Sequence, residues 1–383
     1  MNDRPTLGRR CWNGIAYGPR VTIAPKSSLL VVGPTQAGKT SSIVMPALLR
    51  WTDALVVTSV KNDVIDATST WRRSLGTTQI LEPGLDGGQT WNPLEGVTTL
   101  RHAMRVARDL TIGFNGHGET EFWNTLSTKL VAGLMAIATQ RGSTIFEVAR
   151  IVESGEVAGW LGERDASLAG EFVRNFLEHD RKTLEGVLTT AETMLMPWRF
   201  EQPLARVREV VAGPNTMYLC SPRGEQRHYE ALFRGALRMV LEEQQRRVDE
   251  GTSRRLLMVL DEAATVASLD ELDQLAATVS GLNVTLVTVV QDFAQLVARW
   301  GPRASTIVNN HTTRVVMGGL ADPTVRNYLP ELVDTKPDAR EVPLRLRPRG
   351  TAMVVAGNER VFHVRLRPWW KDRRLRDLGV HAM

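Results

Sequence analysis

Gly33, Gly38, Lys39 and Thr40 stand at the spacing GPTQAGKT, in which a cation and a hydroxyl directly follow the second of two glycines. The glycines let the backbone turn and approach an anion with no Cβ in the way, so that successive amide N–H groups can form a nest for phosphate. Lys39 offers a positive charge to β- and γ-phosphates, and the Thr40 hydroxyl is a ligand for Mg²⁺. Gly33, Pro34, Thr35, Gln36, Ala37, Gly38, Lys39, Thr40 and Ser41 therefore read as a nucleoside-triphosphate cradle, with ATP and Mg²⁺ as the expected occupants. The flanks agree. LLVV at 29–32 predicts a buried strand before the loop, and SSIVMPALLRW predicts a helix after it, with its positive N-terminal end towards the anion.

A second set of polar residues closes other apolar runs. LLMVL ends in Asp261 and Glu262. An aspartate at the end of a buried strand can hold Mg²⁺ opposite Thr40, and the adjacent glutamate can take a proton from an attacking water. Without the phosphate loop, the same pair would read as a helix N-cap; with it, the catalytic reading is preferred. VTLVTVV ends in Gln291, whose amide would leave the same sheet edge. Two roles stay open for it: sensing a γ-phosphate, or capping the helix DFAQLVARW that follows. A glutamate base with a sensor strand points to the hydrolysing branch of P-loop ATPases, away from kinases and small GTPases.

Elements must position these groups. SLLVV, ALVVTSV, TQIL, TMYLC, LLMVL, VTLVTVVQ and RVVMGG recur between helical patterns, and several are apolar throughout, as in strands covered on both faces of a parallel sheet. The expected class is α/β: a RecA-like nucleotide-binding domain with a mostly parallel central sheet, spanning 1–96 and 206–383. Between 97 and 205 strand signals vanish and helical spacing takes over, as in Phe122, Leu126, Leu130, Leu134 and Ile137, which predicts an inserted all-α domain. The amphipathic segment 230–248 is expected to pack under the sheet, and AMVVAG with VFHVRLR to form a hairpin at its edge.

With 383 residues, 43% hydrophobic and 23% charged, the chain has material for two domains and no sign of disorder. The net charge of +5 favours an anionic partner. Of the two cysteines, Cys11 and Cys220, the second ends the apolar run MYLC and reads as a buried thiol, which fits a reducing cytosol. The opening twenty residues lack the apolar centre of a signal peptide, and LVAGLMAIA at 130–138 falls far short of the ~20 residues that span a bilayer.

The order of further motifs resembles type IV coupling proteins of the TraG/TraD family, the ATPases that link a conjugative relaxosome to its secretion channel, with the actinobacterial branch most similar. The residues that carry this are GPTQAGKTSSIVMPALL, VTSVKND with Lys61 and Asp63, WNPL at 91–94, FW at 122–123, LDEAATVASLDELDQL, VQDFAQLVARWG, TIVNNHTTRVVMGG, and Ala321 with Thr324. The resemblance implies a RecA-like ring ATPase, hexameric when assembled, with a helical domain facing cargo and channel. Relatives usually carry N-terminal membrane helices, whereas about thirty residues precede the loop here. Membrane contact is then expected only through a missing anchor or a partner, at the cytoplasmic face of the inner membrane.

Many relatives also carry an arginine after the Asp-Glu pair that could reach a neighbouring subunit's γ-phosphate. The corresponding ATVSGLN has none. Arg314 is the substitute candidate for such a finger, and a salt bridge at the sheet's edge is its other reading. Arg345, Arg347 and Arg349 share one side of an extended segment, and Arg365, Arg367, Lys371, Arg373, Arg374 and Arg376 follow. These suit sequence-independent DNA phosphate contacts, or equally a solvated face or subunit interface. Trp369 and Trp370 could stack on bases or anchor the tail. His311 lacks a companion at metal-ligand spacing.

The expected function is an ATPase driving DNA with attached protein into a type IV secretion or conjugation channel, with relaxosome or secreted cargo as partners. Two rivals remain: a ring motor exporting protein without nucleic acid, and a docking module gated by nucleotide.

Overall fold

The computed structural model describes residues 4–12, 15–60, 62–83, 88–111, 119–161, 167–221, 224, 226–266, 269–320, 324, 328, 348, 350–357 and 361–379. Lys61, Ala321, Arg345, Arg347 and Arg349 lie outside them. The chain divides into two compact units: Met1–Ile80 with Val207–Gln226 and Met239–Met383, and Leu81–Arg206 with Arg227–Arg238.

The first unit is built on strands β1 (Thr6–Trp12), β2 (Ile15–Thr22), β3 (Ser28–Val32), β4 (Ala54–Ser59) and β5 (Thr78–Leu81). The second holds the short β6 (Thr90–Trp91) and β7 (Leu204–Ala205). Back in the first come β8 (Thr216–Cys220), β9 (Leu256–Leu260), β10 (Val284–Val290), β11 (Thr313–Met317), β12 (Thr351–Ala356) and β13 (Phe362–Arg365). Eleven strands make one sheet in the order β2-β1-β13-β12-β11-β3-β10-β9-β4-β8-β5. From β11 to β8 the pairing is parallel; from β11 to β2 it is antiparallel.

The parallel strands are the ones whose apolar runs predict them. Every residue of β3, β4, β8, β9 and β10 is buried, and each Leu or Val so covered is worth roughly 1.5–3 kcal/mol. One face packs on Val44 and the helix Met45–Arg50 that follows it, through Leu48 and Leu49, on Val64 and Ile65 of the helix Asp63–Leu75, and on Trp369 and Leu375 near the C-terminus.

Three expectations need correction. β12 and β13 do pair, but not at the edge, because β1 and β2 continue the sheet beyond β13. These two strands carry arginines and exposed positions in place of a buried alternation, so pattern alone passes over them. Residues 81–96 belong to the second unit, where β6 pairs with β7. There the Trp91 indole donates to the Leu232 carbonyl at 3.0 Å and meets Trp198 edge-on at 5.9 Å. The long helix Gln226–Asp249 accordingly does not lie wholly under the sheet: Arg227–Arg238 cluster with the second unit, and Gln226 and Met239 onward with the first.

The second unit is otherwise helical, with Leu100–Asp109, Glu119–Arg141, Ile145–Ser154, Val157–Leu161, Leu168–Leu177 and Arg181–Leu195. On Glu119–Arg141 the predicted stripe is buried at Leu130, Leu134 and Ile137 and exposed at Phe122. Trp123 rests on Gly186, where a Cβ would approach the indole to 2.8 Å. Among the described residues, no helix is long and apolar enough to cross a membrane.

Candidate functional site: a strand-edge nucleotide cradle

Parallel register aligns three strand ends. Val290 pairs with Val32, and Leu260 with Thr288. The residues that follow, Gly33, Gln291 and Asp261, leave along one carboxyl edge, with β10 between the strands bearing the other two; open α/β sheets bind ligands at such an edge.

The loop has the geometry an anion needs. Gln36 and Gly38 adopt left-handed backbone, φ +62° and +88°, which turns successive N–H groups to one side. Gly33 is required by close approach, since a Cβ would stand 2.8 Å from the Cβ of Met317. Ala37 N–H donates to the Pro34 carbonyl at 3.2 Å, while Thr35 and Gln36 are exposed. The helix then opens with a π turn, Thr40–Val44, in which Met45 N–H reaches the Thr40 carbonyl. Pro46 has no N–H to give Ser42, and it sits where the π turn gives way to α-helix.

Lys39 is buried, and its amine donates to the carbonyls of Gly33 at 2.6 Å and Pro34 at 3.1 Å. Thr40 Oγ1 donates to Asp261 Oδ2 at 3.0 Å, which joins the loop to the end of β9. The other carboxylate oxygen, Asp261 Oδ1, is buried and has no hydrogen-bond partner among the described residues. Burial pushes the Asp261 carboxyl up to about 6; Glu262 and Asp63 add to the rise, and the Thr40 hydrogen bond and Lys39 oppose it. A buried carboxylate with an oxygen to spare, beside a hydroxyl, is the all-oxygen donor set of a hard divalent cation, so these residues fit Mg²⁺. The N-cap reading of Asp261 finds no support, because its side chain accepts from Thr40 and a turn follows it.

Glu262 holds left-handed backbone at φ +56°, a conformation that costs a non-glycine residue about 1–3 kcal/mol and clusters at functional sites. Gln291 Nε2 donates to Glu262 Oε2 at 3.0 Å. The capping role falls instead to Asp292, whose side chain accepts from Gln295 N–H, while Gln295 Oε1 accepts the Gln291 N–H at 3.0 Å.

Arg314 is not brought to this edge. It pairs with Leu30, three residues before Gly33 and so roughly 10 Å back along the sheet. Burial lowers its pKa, and its Nε is buried with no partner among the described residues. Sequence reasoning passed over Thr58, whose hydroxyl donates to the Asp261 carbonyl at 2.9 Å from the end of β4. A hydroxyl closing the apolar run ALVV was the available signal.

Other candidates serve the fold. His311 is fully buried; its Nδ1 lies 2.7 Å from the Ile307 carbonyl, so that nitrogen carries the proton and Nε2 accepts from Thr288 at 2.9 Å. Burial holds the ring neutral, its pKa lowered to about 4. Trp369 is buried in the core cluster and Trp370 is exposed. Cys220 donates its thiol to Asn62 Oδ1 at 2.9 Å, and Cys11 and Cys220 are buried and not joined by a disulfide.

Solved structures with the same fold include the plasmid coupling protein TrwB in complex with a non-hydrolysable GTP analogue, at 17% identity and TM-score 0.69, covering 95% of each chain. TrwB in complex with ADP and Mg²⁺ matches at 17% identity and TM-score 0.69, over 95% of this chain and 94% of that one. VirB4 of Thermoanaerobacter pseudethanolicus matches at 13% identity and TM-score 0.61, over 98% and 99%. No curated protein matches the chain by sequence. The fold is thus the RecA-like P-loop architecture, and the family model for type IV secretory system conjugative DNA transfer matches residues 9–336. With the match running through loop, Asp-Glu pair and Gln291 alike, the chain belongs to the type IV secretory system conjugative DNA transfer family.

Proposed function

We propose that this chain is a coupling ATPase that binds ATP with Mg²⁺ and hydrolyses it to drive DNA, with attached protein, into a type IV secretion channel, working as a homo-hexameric ring. The observation that carries the catalytic part is the contact between Thr40 and Asp261 at 3.0 Å, with a second Asp261 oxygen left without a partner. Thr40 and Asp261 would hold the metal. Bound there, Mg²⁺ supplies charge neutralisation to the transferred phosphate. The N–H groups of Gln36, Gly38, Lys39, Thr40 and Ser41 bind phosphate, those of Gly33 and Ala37 being given to the Val290 and Pro34 carbonyls, and the Lys39 amine exchanges its loop carbonyls for phosphate oxygens. Glu262 takes the proton of the attacking water, and the Gln291 amide orients that carboxylate. Structures of TrwB in complex with ADP and Mg²⁺ and with a non-hydrolysable ATP analogue support the choice of cofactors. Family membership supports DNA as the cargo and channel components as partners.

Removing the general base should cost far more in turnover than in binding. Lys39→Ala is expected to abolish steady-state hydrolysis. Glu262→Gln should keep nucleotide affinity within a few-fold while lowering kcat by about 10²–10⁴-fold. DNA should stimulate the wild-type rate, with a steep loss on adding salt. Unchanged hydrolysis in both variants removes the loop from the mechanism; no mobility shift with DNA at micromolar protein leaves protein export as the better reading.

A further inference from the structure

The Asp261–Glu262 pair is held by its backbone as well as by its side chains. β9 lies between β4 and β10, and both neighbours reach past its end. From β10, the Val289 carbonyl accepts the Ala263 N–H at 3.0 Å. From β4, the ladder closes at the pair Thr58–Leu260, and the Thr58 hydroxyl then donates to the Asp261 carbonyl at 2.9 Å. Thr58 is fully buried and follows Leu55, Val56 and Val57, all fully buried too. A valine would fill the same space and favour a strand equally well. The hydroxyl therefore answers to the carbonyl, a buried acceptor that costs the fold if left unpaired.

That carbonyl belongs to the peptide that enters Glu262. The peptide is planar, so fixing the direction of its C=O fixes the plane from which φ of Glu262 is measured. On the other side, the Glu262 carbonyl accepts from Thr265 N–H at 2.9 Å, from Val266 N–H at 3.1 Å and from Thr265 Oγ1 at 3.1 Å. With both flanking peptides pinned, Glu262 stays at φ +56°, a conformation that persists in a non-glycine residue only where its surroundings over-determine it. It is from this backbone that Glu262 Oε2 meets Gln291 Nε2 at 3.0 Å. We propose that Thr58 is a positioning residue for hydrolysis: its hydroxyl, through the Asp261 carbonyl, holds Glu262 in the left-handed conformation that aims its carboxylate at the attacking water. The role rests on the reading of Glu262 as the general base. Turnover should then fall without loss of nucleotide, because the loop N–H groups, Lys39, Thr40 and the Asp261 carboxylate are placed by other contacts.

The test compares Thr58→Val and Thr58→Ser with the parent by steady-state hydrolysis, titration with a non-hydrolysable ATP analogue and Mg²⁺, and amide hydrogen exchange of the nucleotide-free chain. Thr58→Val should lower kcat by about 10²-fold, with Kd for the analogue within about twofold of the parent. Exchange at Ala263, Thr265 and Val266 should quicken about tenfold, with Leu256–Leu260 unchanged. Thr58→Ser, which keeps the donor, should restore both. In a Glu262→Gly background, where left-handed backbone carries no strain, Thr58→Val should quicken that exchange by less than about threefold. Wild-type turnover or wild-type exchange in Thr58→Val overturns the proposal. So do a loss of affinity equal to the loss of kcat, no rescue by Thr58→Ser, or equal quickening in the Glu262→Gly background. Failure of both Thr58→Val and Thr58→Ala to fold also overturns it, since the hydroxyl would then serve the core alone. Glu262→Gln tests the underlying reading and should lose turnover with exchange at 263–266 still slow. Wild-type turnover of Glu262→Gln removes the base itself; an inactive Glu262→Gln beside a fully active Thr58→Val removes only the part given to Thr58.

Discussion

Asp261 is a charge that the fold makes costly and that a cation would relieve. Its carboxyl is raised from the ordinary 3.8 to about 6, chiefly by burial, and two units correspond to roughly 3 kcal/mol. Because the folded-state value is the higher one, the resulting stability is present in full below the unfolded pKa near 4 and is lost as pH rises through about 6. Asp261→Asn should therefore melt higher than the parent at pH 8 without nucleotide, by up to about 3 kcal/mol, and should lose Mg²⁺-dependent nucleotide binding. Thermal melts at pH 5 and pH 8 check this, since the advantage should shrink at the lower pH. In the parent, Mg²⁺-dependent binding should weaken about tenfold per unit below pH 6, because the cation needs the deprotonated ligand. Lys39 and Thr40 were legible as candidates because the loop's spacing constrains them, and Asp261 because it ends an apolar run in a chain that also has that loop. Thr58 was not, since a threonine ending a strand has many ordinary uses. The place of Arg314, opposite Leu30, depends on register, which no local pattern encodes.

Buried arginine ties elements together on the first unit's far side from the loop. The Arg72 guanidinium, on the helix Asp63–Leu75, donates to Thr216 Oγ1 at 2.7 Å, to the Asp53 carbonyl at 2.7 Å, to Pro214 at 3.3 Å and to Trp51. That one side chain satisfies the turns leading into β4 and β8, and burial lowers its pKa to about 10. Arg72→Leu should destabilise the chain by about 3–5 kcal/mol, by orphaning several buried carbonyls. Chemical denaturation would measure it, and Arg72→Lys should recover little, because one ammonium cannot span the same fork. All seven runs read as strands are strands, and five of them, β3, β4, β8, β9 and β10, were plainest because central parallel strands are buried on both faces and so must be largely apolar; β5 and β11 are only partly buried. The edge pair β1–β2 and the two-residue strands β6 and β7 are held by their partners more than by their own composition, and they were invisible for that reason.

At the scale of the whole molecule, two compact units with their own buried cores divide the chain, and only the first contains the cradle. Nucleotide with Mg²⁺ at a hundredfold excess over Kd should stabilise that unit by about 2.7 kcal/mol. Hydrogen exchange would show the effect as slower exchange in β3, β9 and β10, with helices Ile145–Ser154 and Arg181–Leu195 unchanged. The strand that ends in the phosphate loop also has a distinctive place in the chain. β3 is Ser28–Val32, yet its two neighbours are β10 and β11, drawn from 284–290 and 313–317. An emerging polypeptide therefore carries its phosphate loop unsupported on either flank until those distant strands have been made. Competence to grip ATP waits for them, which keeps an incomplete sheet from engaging nucleotide.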